Sequence, residues 1–433
     1  MNERVTLKNN NGHLEIGGIN ASNLVKKYGT PLYVMDQTYI EDMCKTFSDT
    51  LKKEYGDGMI AYASKAFSCK EIYRIANNMG IGADTVSGGE IYTAKSVNFP
   101  MEKICFHGNN KTTAELKFAV ESGVGYIVLD SYTEADELDL ICKQLSIKQK
   151  VLIRINPGVE AHTHHFIQTA KIDSKFGFAI STGEAEEIVN YVKNKQNLDL
   201  VGLHCHIGSQ IFETKSFVIA VNKMTDFYKK LKLDYGYEFS VLNLGGGFGI
   251  YYAGDDAKKS SKEYAEYIKL IANTLKEDVE RKGLKKPFLI LEPGRSIVGE
   301  AGITLYTVGR IKKIKNIKNY IAVDGGMFDN PRFALYQAKY TVVAVDKMNL
   351  SANEKYTVAG KCCESGDIIA EDCLLPNVEE GDILAVLSTG AYNYSMSSNY
   401  NRNLIPPVVM VKNGESRYVV KPQTYEDLIR NDI

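Results

Sequence analysis

The sequence has no excess charge of either sign: with a net charge of −1 over 433 residues, it offers nothing to hold a phosphate backbone, and nucleic acid is not an expected partner. It has no run of apolar residues long enough to span a bilayer, and its first dozen residues, MNERVTLKNNNG, lack the apolar core of a secretory leader, so a cytoplasmic protein without membrane attachment is expected. None of its eight cysteines forms a CxxC pair, which argues for reduced thiols over a disulfide framework. It also lacks low-complexity linkers and internal repeats other than an alternation of strand-like and helix-like segments.

What is present is that alternation. Hydrophobic residues make up 44% of the chain and charged ones 24%, a globular composition long enough for a barrel-sized unit and a smaller second one. Apolar runs of strand length recur at MIAYA, IGAD, ICFHG, YIVLD, VLIRIN, LVGLHCH, VLNLGGG and FLILEP. Segments of helical period separate them: Ile72, Ile75, Ala76 and Met79 share a face, as do Phe217, Val221, Met224, Tyr228 and Leu231, and Tyr264, Ile268, Ile271, Leu275 and Val279. Eight apolar strands with crossovers predict an α/β fold, a (β/α)8 TIM-like barrel, with a doubly wound open sheet as the alternative. Beyond about residue 300 the pattern turns to β-rich chain broken by Gly, Asn and Pro, read as a C-terminal β-sandwich or Greek-key barrel. The expected division is 1–30 as an N-terminal segment joining the β unit, 31–300 as the barrel and 301–433 as the β-rich part.

Polar residues favour the closed barrel, because a barrel collects its chemistry on the loops that follow its strands. Lys65 follows the first run, Asp84 with SGGE the second, His107 the third and Asp130 the fourth; Arg154 and Asn156 close the fifth, HCHIGSQ the sixth, GGGFG the seventh and EPGR the eighth. Taken alone, a lysine at a strand end is usually a solvated surface charge. GGGFG alone is a tight turn, and Ile250 stands where a dinucleotide fingerprint needs its last glycine. Together, a lysine, a glycine cradle in the loop where barrels commonly hold phosphate and a carboxylate, Glu292, at the last strand end match what pyridoxal phosphate needs: an amine for a Schiff base, N–H groups for the phosphate and an acid for the pyridine nitrogen. The rival is a metal centre built on His204 and His206 with His162, His164 and His165, but no carboxylate is placed to complete it; no metal is expected.

The motifs YASKAF, GADTVSGGE, HGNNKT, RINPGVEAHTH, SKFGF, GLHCHIGSQ, NLGGGFGI, EPGRSIVGEAG, DGGM, PRFALY, CESGD and GAYNYSM, in this order, make the chain resemble the alanine-racemase-like barrel decarboxylases that use pyridoxal 5'-phosphate, most closely the branch acting on meso-diaminopimelate. The resemblance implies that Lys65 carries the cofactor and His206 stacks on its ring. Ser209, Gly245, Gly246, Gly247, Tyr392 and the loop Glu292, Pro293, Gly294, Arg295 would surround the phosphate, with Glu292 at the ring nitrogen and Asp84 among the cofactor contacts. Arg295, Arg332, Tyr336, Glu364 and Tyr392 would bind the substrate, and Cys363 would give the proton. In such a family Cys363 and Glu364 reach into the partner's barrel, so a homodimer with shared active sites is implied, and Cys362 is an extra thiol for packing. Two rivals remain at this point: a decarboxylase of ornithine, lysine, arginine or carboxynorspermidine on the same fold, and a non-catalytic relative that binds pyridoxal phosphate.

Overall fold

A computed structural model describes residues 7–159, 174–254, 256 and 260–433. Eight parallel strands close a barrel: Gly58–Ala63, Gly82–Thr85, Ile104–Phe106, Tyr126–Leu129, Gln149–Asn156, Leu198–His204, Val241–Asn243 and Phe288–Leu291. Each pairs with the next, the eighth returns to the first through Leu289 opposite Gly58, and the fourth pairs with the fifth through Ile127–Leu129 opposite Val151–Ile153. All eight apolar runs are therefore barrel strands, and the open-sheet alternative falls. A two-residue strand, Phe178–Ala179, is added outside the fifth.

The helices form where an apolar stripe recurs at helical spacing. Gln37–Glu54 begins at Asp36, whose carboxylate accepts the Tyr39 amide, and buries Ile40, Met43, Cys44, Phe47 and Leu51. Phe47 lies 5.4 Å from Phe248 and 5.7 Å from Tyr264, ring centre to ring centre, so this helix braces both the glycine loop and the helix Ser261–Arg281. The predicted faces of Thr214–Tyr235 and Ser261–Arg281 are buried at every named position.

Inside the barrel, a strand's period of two decides what the chemistry sees. Ala61, Cys105, Val128, Leu152, Val241 and Ile290 form a separate apolar layer. Two residues further along each of those strands come Ala63, His107, Asp130, Arg154, Asn243 and Glu292, and the glycines Gly82 and Gly202 of the remaining two strands are followed at the same interval by Asp84 and His204. One turn of the pleat thus carries the interior from a dry layer to a polar one.

A second sheet lies beyond the barrel. Its longest strand, Gly302–Ile314, pairs antiparallel with Lys318–Val323, Ile383–Leu387 and Leu32–Asp36, and the last of these pairs parallel with Val408–Lys412. The strand Leu32–Asp36 therefore belongs to this sheet, and the barrel portion starts after it instead of at residue 31. The cause is pairing from the far end of the chain: the strand lies between Gly302–Leu305 and Val408–Val411, and all five of its residues are buried there. Residues 7–30 pack on the same sheet, with Leu14, Ile16 and Leu24 in one apolar cluster with Ile303, Leu305, Val409 and Val411. Among the described residues no helix is long and apolar enough to cross a membrane.

Candidate active site

Lys65 sits in the one-turn helix Ser64–Ala66 that follows the first barrel strand. Its Nζ lies 2.9 Å from Asp84 Oδ2, the lysine side chain 40% exposed to the barrel mouth and the aspartate 1% exposed. Burial works against the charge on Lys65, but Asp84, Tyr392 and Glu292 outweigh it and keep the ammonium above its ordinary range. At the end of the eighth strand, Glu292 Oε1 is 2.8 Å from His107 Nε2 and accepts the Asn243 amide at 2.6 Å, while Oε2 is 3.4 Å from His204 Nε2. Burial alone would raise this carboxyl; His107 and His204 more than offset it, and Glu292 stays well below the usual carboxylate range. The Asp84 carboxylate approaches His107 to 3.8 Å, so one polar chain runs from the amine through Asp84 and His107 to Glu292.

The three glycines after the seventh strand are required by what surrounds them. A Cβ on Gly246 would lie 2.0 Å from the Glu292 carbonyl oxygen, and one on Gly247, whose φ is +106°, 2.3 Å from that of Gly208. Gly245, at φ +65°, would push a Cβ to 2.9 Å from the His206 ring. The tight turn and the cradle are thus one object: the loop is pressed against the ends of the sixth and eighth strands, and Gly246 and Gly247 border the cavity. Burial, then the positive charge of Lys65, hold His206 neutral, well below its ordinary range.

The loop after the eighth strand and the chain around the second sheet complete the mouth with cations and rings. Arg332 opens the short helix Arg332–Tyr336, and both of its ends line the cavity. Arg295 Nη2 donates to Ser209 Oγ at 3.0 Å, and its guanidinium lies 4.7 Å from the centre of the Tyr392 ring. Tyr392 takes a left-handed backbone, φ +61°, and its amide donates to the Ala66 carbonyl at 2.7 Å, which ties this strained residue to the Lys65 turn.

The cavity so enclosed measures about 1330 Å³. Of the residues expected from sequence, Lys65, Asp84, His206, Ser209, Gly246, Gly247, Glu292, Gly294, Arg295, Arg332, Tyr336 and Tyr392 border it. Gly245 and Pro293 stand behind it in backbone roles: the Gly245 carbonyl accepts the Glu292 amide at 2.7 Å and the Pro293 carbonyl the Ala63 amide at 3.1 Å. Cys363 and Glu364 do not border the cavity of their own chain as the described residues form it. They sit on an exposed arm fixed by Asp367, whose carboxylate accepts the amides of Met327 at 2.6 Å and Cys362 at 2.7 Å.

Arg154 and His107 border the cavity as well, and His204 does so beside Glu292. Arg154 and His107 are strand ends to which the sequence assigns no role, and His204 enters there only in the metal reading; neither Asn243 nor Tyr252 is singled out. The signal for Asn243 was the period of two from Val241, which places it on the Glu292 side of its strand. His107, His204 and Glu292 are also close enough to form a three-group cluster, yet they contact one another directly, with Asn243 on the same oxygen. The other histidines of the metal reading, His162, His164 and His165, lie outside the described residues.

The polar groups match a ligand with three unlike ends. The Lys65 amine answers an electrophilic carbonyl, the anionic Glu292 a basic ring nitrogen, and Gly246, Gly247, Ser209 and Arg295 an anion. Within this set, Asp84 Oδ1 and Arg295 Nε are buried with no hydrogen-bond partner among the described residues, which costs free energy unless a ligand engages them.

One consequence concerns acid. His204 is held at a pKa of about 3, by burial first, against its ordinary 6.5. Below pH 6.5 the unfolded chain takes up a proton that the folded one refuses, so stability falls as pH drops through the window from 6.5 to 3. Cofactor-free wild-type protein should therefore lose more stability between pH 7.5 and 5.5 than the His204→Asn variant, by about 1.4 kcal/mol per pH unit below 6.5. Denaturant unfolding at the two pH values measures this, and equal losses in the two proteins would contradict it.

Residues 40–299 match the family "Pyridoxal-dependent decarboxylase, pyridoxal binding domain". The chain is 48% identical over 426 residues to a diaminopimelate decarboxylase of Bacillus subtilis (strain 168), covering 98% of this chain and 96% of that protein. It is 44% identical to one of Staphylococcus aureus (strain COL), covering 98% of each. A crystal structure of a diaminopimelate decarboxylase from M. jannaschii in co-complex with L-lysine superposes with a TM-score of 0.91 at 36% identity, covering 99% of this chain and 98% of that one.

Proposed function

This chain belongs to the pyridoxal-dependent decarboxylases and, within them, to the diaminopimelate decarboxylases, and from that premise we propose how its own residues perform the reaction. It removes CO2 from meso-2,6-diaminopimelate to give L-lysine, the last step of lysine biosynthesis. The observation that carries the assignment of roles is that Lys65, after the first strand, and Glu292, at the end of the neighbouring eighth strand, border one cavity that Arg295 and Arg332 close.

Pyridoxal 5'-phosphate, when bound, supplies a ring that accepts the electron pair left behind by CO2. Lys65 is its covalent anchor, and Asp84, 2.9 Å from the amine, is placed to take the proton that an ammonium must give up before it can bond to carbon. Glu292 would be the acid that keeps the ring nitrogen protonated, its carboxylate held in place by Asn243 and His107 on Oε1 and by His204 beside Oε2. His206, neutral, provides a flat face. Ser209, the three glycines, Gly294 and Arg295 hold the phosphate.

Selectivity rests on the far end of the substrate. Arg295, Arg332, Tyr336 and Tyr392 read the distal carboxylate, Arg332 being buried and pre-aimed by its hydrogen bond to Tyr340 at 2.7 Å. Glu364 pairs with the distal ammonium and Cys363 returns a proton to carbon; their exposure and their absence from their own cavity support a homodimer in which each subunit completes the other's site. The barrel thus holds the cofactor, and the chain beyond it presents the substrate groups together with Arg295 of the barrel.

An amino acid with no distal carboxylate leaves the arginines that read it unpaired, which costs several kcal/mol, on the order of a thousandfold in turnover at low concentration. CO2 release from meso-diaminopimelate, ornithine, lysine and arginine, compared as kcat/KM, tests this. Diaminopimelate should lead the others by about that factor, and faster turnover of ornithine would overturn the assignment.

A further inference from the structure

Tyr252 lies in the loop that leads away from the glycine cradle, and it touches both arginines. Its hydroxyl accepts a hydrogen bond from Arg295 Nη1. The centre of its ring lies 4.7 Å from the Arg332 guanidinium carbon and 5.7 Å from that of Arg295. Tyr340, which accepts from Arg332 Nη1 at 2.7 Å, packs edge-on against Tyr252 with centroids 5.5 Å apart and planes at 86°. The Tyr252 carbonyl accepts the Thr341 hydroxyl at 2.8 Å, so its backbone is fastened to the second sheet while its side chain stays at the barrel mouth.

Two guanidiniums that share one buried pocket repel each other until an anion arrives. A neutral ring placed between them answers this: its electron-rich face attracts the cations and its oxygen takes an N–H from one of them. We infer that Tyr252 is a positioning residue for substrate selectivity, holding Arg295 and Arg332 in register for the distal carboxylate before substrate binds. The inference rests on the carboxylate-reading role given above to Arg332, and it assigns to Tyr252 the task of keeping that reader set.

The test uses two ligands that differ at the far end. L-lysine retains the distal amino-acid centre, whereas 1,5-diaminopentane has an amine there and no carboxylate. Their dissociation constants are measured calorimetrically on the wild-type holoenzyme and on Tyr252→Phe, Tyr252→Leu and Arg332→Ala, with kcat and KM for meso-diaminopimelate alongside. Tyr252→Phe, which keeps the ring and loses the oxygen, should weaken L-lysine about fivefold, and Tyr252→Leu, which loses both, about fiftyfold. The diamine should move less than about twofold in either, and KM should rise by a larger factor than kcat falls. Equal loss of both ligands would mean a merely structural residue and would overturn the inference, as would unchanged L-lysine affinity in Tyr252→Leu. Should the leucine variant not fold, the phenylalanine variant decides on the same two ligands. Arg332→Ala separates the layers: if it too leaves L-lysine unaffected, the carboxylate-reading role itself fails; if it loses L-lysine while both Tyr252 variants hold it, only the role of Tyr252 fails.

Discussion

Replacing Lys65 by alanine should lower CO2 release from meso-diaminopimelate by on the order of 10⁴-fold and leave no borohydride-fixed cofactor on the protein. Lys65 Nζ is the amine that shares the cavity with Glu292 and has a carboxylate, Asp84, within 2.9 Å to manage its proton. Lys111, by comparison, is spent in a buried pair with Glu134 at 2.6 Å. The alanine variant also strands Asp84, 1% exposed, without its cation, and because Lys65 is itself 40% exposed, water screens the pair and the cost falls below that of breaking a fully buried one. A loss of activity could then be misread as a loss of structure. Lys65→Arg removes that ambiguity, because it keeps a cation near Asp84 but has no amine that can lose a proton at working pH. It should fold like the wild type and be as inactive as the alanine variant. Mapping the reduced cofactor adduct to any other lysine, in either variant, would move the anchor and undo the site.

Much of this architecture was open to reading because the signals are local. Each barrel strand is a short apolar run whose neighbours along the chain are also its neighbours in the sheet, so order in sequence gives order in space. Lys65 and Glu292 could be placed at strand ends for the same reason. The strand Leu32–Asp36 was recognisable as β, but its partners, Gly302–Leu305 and Val408–Val411, come from the other end of the chain, and five buried residues in a row say nothing about which sheet covers them. Asn243 hid in an apolar run just before the glycines, where only the alternation along the strand shows it facing Glu292. Tyr252 had no local signal: in YYAGDD it reads as loop, and its meaning comes from Arg295, Arg332 and Tyr340, which other loops bring to it.

Cys363 is the residue whose sequence neighbours explain least about where it acts. Cys363→Ala should cost about 10² to 10³ in turnover, the range of a lost general acid, with the bound cofactor's absorbance retained. Cys362→Ala should stay within about threefold of wild type. Cys362 is buried and its thiol is pushed up to about 11 by burial, so it neither reaches a ligand nor gives up its proton readily. Mixed dimers separate the two geometries. In a population formed from equal amounts of Lys65→Ala and Cys363→Ala chains, about half of the dimers pair one of each. If the thiol serves the partner's cavity, each such dimer joins an intact Lys65 to an intact Cys363 at one of its two sites, and about a quarter of wild-type activity returns. If the thiol serves its own cavity, every site in every dimer lacks one group, and mixing restores nothing. Recovery therefore cannot arise from the cis arrangement, and its absence in dimers verified to be mixed would refute the shared site while leaving Lys65 and Glu292 where they are.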